Sequence, residues 1–246
     1  MLAVIGGSGL GQFAGLEAVR RMAMPTPYGE PSAELTLGAI RGRRTLFLAR
    51  HGDRHTIPPH EVNYRANLWA LREAGADCVV AVAAVGGVRA ELGPGTLLVP
   101  HQIIDYTWGR RSTYFEGGGA PVTHVDFTHP YSEPLRRRLL EAGRAASEQL
   151  LDGGVYAATQ GPRLETAAEI DRLERDGADV VGMTGMPEAV LARELELAYA
   201  AIAVVVNHAA GRGESKGGVS IDRLEAVLQA AVARACRVIE ELAGQP

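Results

Sequence analysis

The sequence predicts an α/β protein with a central mixed β-sheet flanked by helices. Three observations predict it. Short apolar, β-branched runs recur along the 246-residue chain, and helical periodicities fall between several of them. A 46% apolar composition supplies enough side chains for one large core. No repeat, low-complexity tract or linker divides the chain, so residues 1–246 read as a single domain.

In chain order, the apolar runs at 2–5, 45–49, 78–85, 96–99, 155–158, 180–181 and 202–206 read as strands. Continuous apolar stretches such as the one from Cys78 to Val85 suit strands buried on both faces. Helical patterns at 62–74, 134–150, 166–176, 187–194 and 219–242 alternate with them. Thr166-x-x-Glu169 reads as a capping box opening one helix, and Pro187 suits the first turn of another. The least regular segment is 106–131, with Gly117-Gly118-Gly119 in its middle, and reads as a lid or a long surface loop.

Charge and composition exclude several classes. The net charge of −4 and the absence of a lysine–arginine run argue against a nucleic-acid partner. No apolar stretch approaches the ~20 residues that span a bilayer. The start of the chain shows no charged leader, and Cys78 and Cys236 read as core thiols, which fits a reducing cytoplasm.

Most of the polar residues of interest follow predicted strands, where α/β sheets bind ligands. Gly6-Gly7-Ser8-Gly9 follows the first strand and reads as a small-anion loop or a plain tight turn. A dinucleotide fingerprint started at Gly7 would need its third glycine at Gln12, and no Gly-Lys-Ser/Thr motif is present. Arg50-His51 follows the second strand and suits a phosphate clamp, the guanidinium matching two oxygens in a fork. A metal is the weaker reading, because Pro58-Pro59 argues against the helix that His51-x3-His55 would need to hold zinc. Glu165 reads as a carboxylate at a helix start, or as an acceptor for a protonated ring nitrogen. Met183-Thr184 offers an apolar wall and a hydroxyl before the next helix. Val204-Val205-Val206-Asn207 reads as a buried strand delivering one amide to a pocket, or as a strand end before a turn. Asparagine carries both a donor and an acceptor, which suits a heterocycle presenting a carbonyl beside a ring nitrogen.

Taken together, Ile5-Gly6-Gly7-Ser8-Gly9, the block from Arg50-His51-Gly52 to Asn67, Gly161-Pro162-Arg163 and Met183-Thr184-x-x-Pro187-Glu188 resemble the trimeric nucleoside phosphorylases. The methylthioadenosine phosphorylase branch is the nearer likeness, and it covers nearly the whole chain. The resemblance implies a phosphorylase fold, a homotrimer or dimer of trimers, and inorganic phosphate as cosubstrate without metal or organic cofactor. Carried over by position, Ser8, Arg50, His51 and Thr184 match phosphate contacts, and Met183 matches a residue against the ribose. Leu164 stands where an aromatic ring covers the base, and His124 matches a residue beside the 5′ substituent. Ile221 and Leu224 match apolar residues around a methylthio group.

Two departures refine the expectation. Where the methylthioadenosine branch shows Asp-x-Asp, this chain has Asn207-His208-Ala209, and with Glu165 this resembles phosphorylases of inosine and guanosine. A 6-oxopurine presents N1–H and O6 to a carboxylate acceptor and an amide donor; adenine would set an acceptor against Glu165. The expected reaction is phosphorolysis of a methylthioinosine-type nucleoside, with Asn207 and His51 as the catalytic pair. Methylthioadenosine or inosine/guanosine phosphorolysis is the alternative, and a non-catalytic nucleoside-binding protein the remote one. The second departure is Ala83, which replaces a phosphate-binding threonine of the family.

Overall fold

The computed structural model describes residues 1–117, 119 and 122–245, apart from the side chains of 18–19 and 221–223. The chain runs β1 (Leu2–Gly6), β2 (Glu17–Met22), β3 (Leu35–Ile40), β4 (Arg43–Ala49), α1 (Tyr64–Glu73), β5 (Cys78–Gly87), β6 (Leu97–Val99) and β7 (Gln102–Asp105). It continues α2 (Glu133–Ala145), β8 (Leu150–Asp152), β9 (Val155–Ala158), α3 (Ala167–Arg175), β10 (Val180–Gly182), α4 (Gly185–Glu194), β11 (Ala198–His208) and α5 (Ile221–Gly244).

The strands form one mixed sheet in the order β2-β3-β4-β1-β5-β10-β9-β7, with β11 also on β5, β6 on β11 and β8 on β6. β1 runs parallel to β4 and β5, β11 runs parallel to β5, and β3 is antiparallel to β2 and β4. The central strands explain their own apolar runs: alternate residues serve opposite faces. Val79, Ala81, Ala201 and Val205 pack with Leu68 of α1 and Leu191 of α4. Val80, Val82, Ile202 and Val204 pack with Leu139 of α2 and Ile239 of α5. Neither face is left polar, so these runs show no alternation.

Two local differences from the sequence reading have simple causes. The pattern at 134–150 ends as a helix at Ala145, because Ser147 turns left-handed at φ +56° and the Glu148 N–H donates to Gly143 O at 2.8 Å. Leu150 and Leu151 then join β8 and pair in parallel with Leu97 and Leu98. Strands β2, β3, β7 and β8 escaped detection: the edge segments Glu17–Met22 and Gln102–Asp105 lack a clean apolar signature, and the interior β3 is broken by Thr36 and Gly38. The capping box is present: the Thr166 side chain accepts from Glu169 N–H, and the Glu169 carboxylate accepts from Thr166 N–H.

Between Val205 and Asn207 the β11–β5 register slips by one. Val205 faces Val85 and Asn207 faces Gly86, leaving Val206 as the extra residue. Such a bulge re-aims the side chains that follow it. Here the first of them is Asn207.

Candidate active site

The segments leaving β1, β4, β9 and β10 converge with the ends of β5 and β11 on a cavity of about 620 Å³. Ser8, Arg50, His51 and Thr184 line it, as do Leu164, Glu165, Met183, Asn207 and Leu224. These nine expected residues come from distant parts of the chain, so only folding brings them together. Two others stand apart. His124 is exposed and does not line this cavity, and the Ile221 side chain lies outside the described residues.

Gly7 sits at a close approach of chain segments. A Cβ at Gly7 would lie 2.5 Å from Val82 O and 2.8 Å from Arg50 Nη1, so the position admits only glycine. Arg50 is almost fully buried, and its fork does not face the cavity as the sequence reading assumed. Nε and Nη2 donate to the two carboxylate oxygens of Glu188 at 2.7 and 2.8 Å, and Nη1 donates to Val82 O at 3.0 Å. The physical reason is burial: an unpaired guanidinium here would be prohibitively costly, and Glu188 supplies the matching two oxygens. Burial alone would lower the Arg50 pKa, but the Glu188 carboxylate outweighs it and holds the group above its ordinary value. A five-donor guanidinium with three donors occupied keeps two N–H groups for a ligand.

His51 is held differently. Burial, the Arg50 charge and the neighbouring His55 bring its pKa from 6.5 down to about 4, against a backbone hydrogen bond to Ile57. Its Nδ1 lies 2.8 Å from Ile57 O. Because a carbonyl only accepts, Nδ1 carries the proton, and Nε2 of the neutral ring is an acceptor. The His55 ring lies 4.7 Å from that of His51, tilted by 52°, and places Nε2 3.4 Å from Ser8 Oγ. Thr184 precedes α4, and its hydroxyl makes no capping bond; its N–H donates to Tyr156 Oη at 3.4 Å.

Glu165 and Asn207 line the same cavity. The Thr159 hydroxyl donates to Glu165 Oε1 at 2.6 Å, and Asn207 Nδ2 donates to His208 O at 2.6 Å. The Asn207 carbonyl oxygen and one amide hydrogen remain for a ligand. His208 itself does not line the cavity; its ring packs beside Gly213. Gly161, at φ +61°, abuts Met183, whose sulfur would lie 2.4 Å from a Cβ there. The apolar wall contains Leu224, Leu228 and Val219. Leu228 was legible in principle, one helical turn after Leu224 on the same face. Thr159 was not, because nothing in its neighbourhood marks it as a partner of Glu165.

Comparisons with known proteins identify the family. The family model of the phosphorylase superfamily matches residues 1–243. The chain belongs to the phosphorylase superfamily. Among similar proteins, this phosphorylase is 59% identical over 210 residues to a probable S-methyl-5′-thioinosine phosphorylase of Pseudomonas syringae pv. tomato, covering 85% of each chain. It is 46% identical over 220 residues to a 6-oxopurine nucleoside phosphorylase of Pyrococcus furiosus, covering 87% of this chain and 82% of that one. Among solved structures, a methylthioadenosine phosphorylase from Schistosoma mansoni in complex with adenine superposes with a TM-score of 0.93 at 32% identity, over 99% of this chain and 90% of that one. Among the described residues, no helix is long and apolar enough to cross a membrane.

Proposed function

We propose that this phosphorylase catalyses the reversible, phosphate-dependent cleavage of S-methyl-5′-thioinosine to hypoxanthine and 5-methylthioribose 1-phosphate. One observation carries the reading: Glu165 and Asn207 line the cavity whose anion end holds Ser8, Arg50, His51 and Thr184 and whose wall includes Leu224 and Leu228. A phosphate oxygen attacks the anomeric carbon as its bond to the purine nitrogen breaks. The electron pair leaves with the base, which is released as neutral hypoxanthine once it gains the proton that phosphate loses on becoming an ester. The sugar passes through an oxocarbenium-like state stabilised by the adjacent anion. Arg50 and the hydroxyls of Ser8 and Thr184 donate to phosphate, and neutral His51 accepts its proton in a hydrogen bond. Met183 packs against the ribose and Leu164 covers the base.

Glu165 accepts from N1–H of the oxopurine, and Asn207 hydrogen-bonds N7 and O6 as negative charge develops there. That interaction strengthens in the transition state, which makes Asn207 a catalytic residue as well as a reader of the base. An adenine places a lone pair against Glu165, and sites built on such a hydrogen bond discriminate by about 10⁴. The reading includes no metal or organic cofactor, a homotrimer, and a cytoplasmic enzyme.

Phosphorolysis rates for methylthioinosine, methylthioadenosine and inosine, measured side by side at saturating phosphate, test it. Preference for methylthioinosine is the expected result. Preference for methylthioadenosine overturns the roles of Glu165 and Asn207, preference for inosine overturns the apolar 5′ pocket, and the absence of any free base points to a binding protein.

A further inference from the structure

We propose that Arg110, which does not line the cavity, is a positioning residue that fixes three walls of the active site relative to one another; this rests on the reading of the site given above. Arg110 lies in the irregular segment after β7. Its Nη1 donates to Met183 O at 2.8 Å and to Met186 O at 2.6 Å, and approaches Tyr64 Oη at 3.3 Å. Its Nη2 donates to Gln160 O at 2.8 Å and lies 3.3 Å from Thr159 O, and Nε donates to Gln160 Oε1 at 3.2 Å. One half-buried guanidinium thus gathers four backbone carbonyls and two side-chain oxygens.

One of those partners, Met183, lines the cavity, and the others are joined to lining residues by chain or by hydrogen bond. Thr159 and Gln160 begin the turn that ends at Glu165, and Thr159 itself donates to Glu165. Met183 lines the cavity beside Thr184. Met186 sits at a non-helical kink in α4, at φ −120° and ψ 139°, so its carbonyl points outside the ordinary helix ladder. Tyr64 donates in turn to the carbonyl of Pro59, another lining residue, and Arg110 stacks 5.5 Å over the Tyr64 ring. Strand ends leave carbonyls without ladder partners, and these must be satisfied. Only a guanidinium offers five donors in a plane wide enough to reach them; a lysine has three donors on a single nitrogen.

The segment carrying Arg110 is itself anchored. Thr113 Oγ1 and Tyr114 N–H both donate to Glu194, and Tyr114 Oη donates to Arg65 O. The stretch from Arg110 to Tyr114 is therefore tied to α1 and α4 and works as a brace. The base reader and the phosphate contacts share one brace, so loosening it displaces both ends of the site together.

The test compares R110K and R110A with the parent chain in steady-state phosphorolysis of methylthioinosine, varying nucleoside and phosphate separately. The expected result for R110K is a fall in kcat/KM of about a hundredfold, the scale of a 1 Å misplacement, with KM raised for both substrates. Guanidinium ion at sub-denaturing concentration should restore part of the activity of R110A. Where R110A does not fold, R110K alone decides. An active parent whose R110K variant keeps both KM values, its rate falling only with the folded fraction, overturns this proposal. A parent chain without phosphorolysis overturns the reading of the site, and this proposal with it.

Discussion

The hydroxyl of Thr159 donates to Oε1 of Glu165 across 2.6 Å, fixing one oxygen of a carboxylate that lines the cavity. Glu165 therefore enters the site as an oriented acceptor with one oxygen committed to the protein.

Thr159→Val keeps the shape of the side chain and removes that hydrogen bond. Hydrogen bonds to charged groups contribute about 1.5–3 kcal/mol, so kcat/KM for methylthioinosine should fall by about tenfold or more. The preference for oxopurine over aminopurine should narrow as Glu165 loses its fixed orientation. Unchanged discrimination between the two nucleosides would show that Glu165 needs no such support.

Asn207→Asp tests the proposed base contact of Asn207. The Asn207 amide donates to His208 O at 2.6 Å, and an aspartate there would set one acceptor against another. It would also oppose O6 of the leaving base. Turnover of methylthioinosine should drop by about 10²–10³, as for the loss of a donor to a developing anion, with a smaller change in KM. A rise in KM at constant kcat would contradict the transition-state role.

Glu188→Ala leaves Arg50 as an unpaired cation in the interior. Both partners are buried, Glu188 also accepts from Tyr199 Oη at 2.8 Å, and breaking such a pair costs about 3–5 kcal/mol. Urea unfolding should register that loss. Equal midpoints for variant and parent would mean that water reaches Arg50.

The His51 imidazole makes stability depend on pH in a defined window. Its folded pKa is near 4 and its ordinary value 6.5, so between these values the unfolded chain binds more protons. The contribution is full above pH 6.5 and is lost as the pH falls toward 4. Urea midpoints at pH 7 and pH 4.5 should differ less in His51→Gln than in the parent. Equal slopes for the two chains would place the acid sensitivity elsewhere.

Much of the site was legible because its residues sit in short motifs directly after apolar strands. Ser8, Arg50-His51 and Met183-Thr184 follow this rule, Asn207 sits near the end of its strand, and Glu165 lies further on, just before a capped helix. What escaped was pairing at long range. Glu188 lies 138 residues from Arg50, and a sequence carries no mark that one will occupy the other's fork. Arg110 escaped for a different reason: its acceptors are mostly backbone carbonyls, which every residue has. The central strands were readable from unbroken apolar runs, whereas the edge strands were hidden by their half-buried, mixed composition. The helix read as far as Leu150 was cut short by a single left-handed residue, Ser147. His124, carried over by resemblance alone, does not line the cavity formed by this chain.

His51 donates through Nδ1 to Ile57 O, which leaves Nε2 with a lone pair and no hydrogen. Within the proposed reaction, that nitrogen sorts oxyanions by whether they bring a proton of their own. Monohydrogen phosphate and arsenate do. Sulfate at neutral pH does not, and would meet the imidazole lone pair to lone pair. With Arg50 neutralised by Glu188, no large surplus of positive charge remains to override that mismatch. On that reading the site would tell two tetrahedral dianions of nearly equal size apart, and sulfate should be a feeble competitor where arsenate substitutes readily.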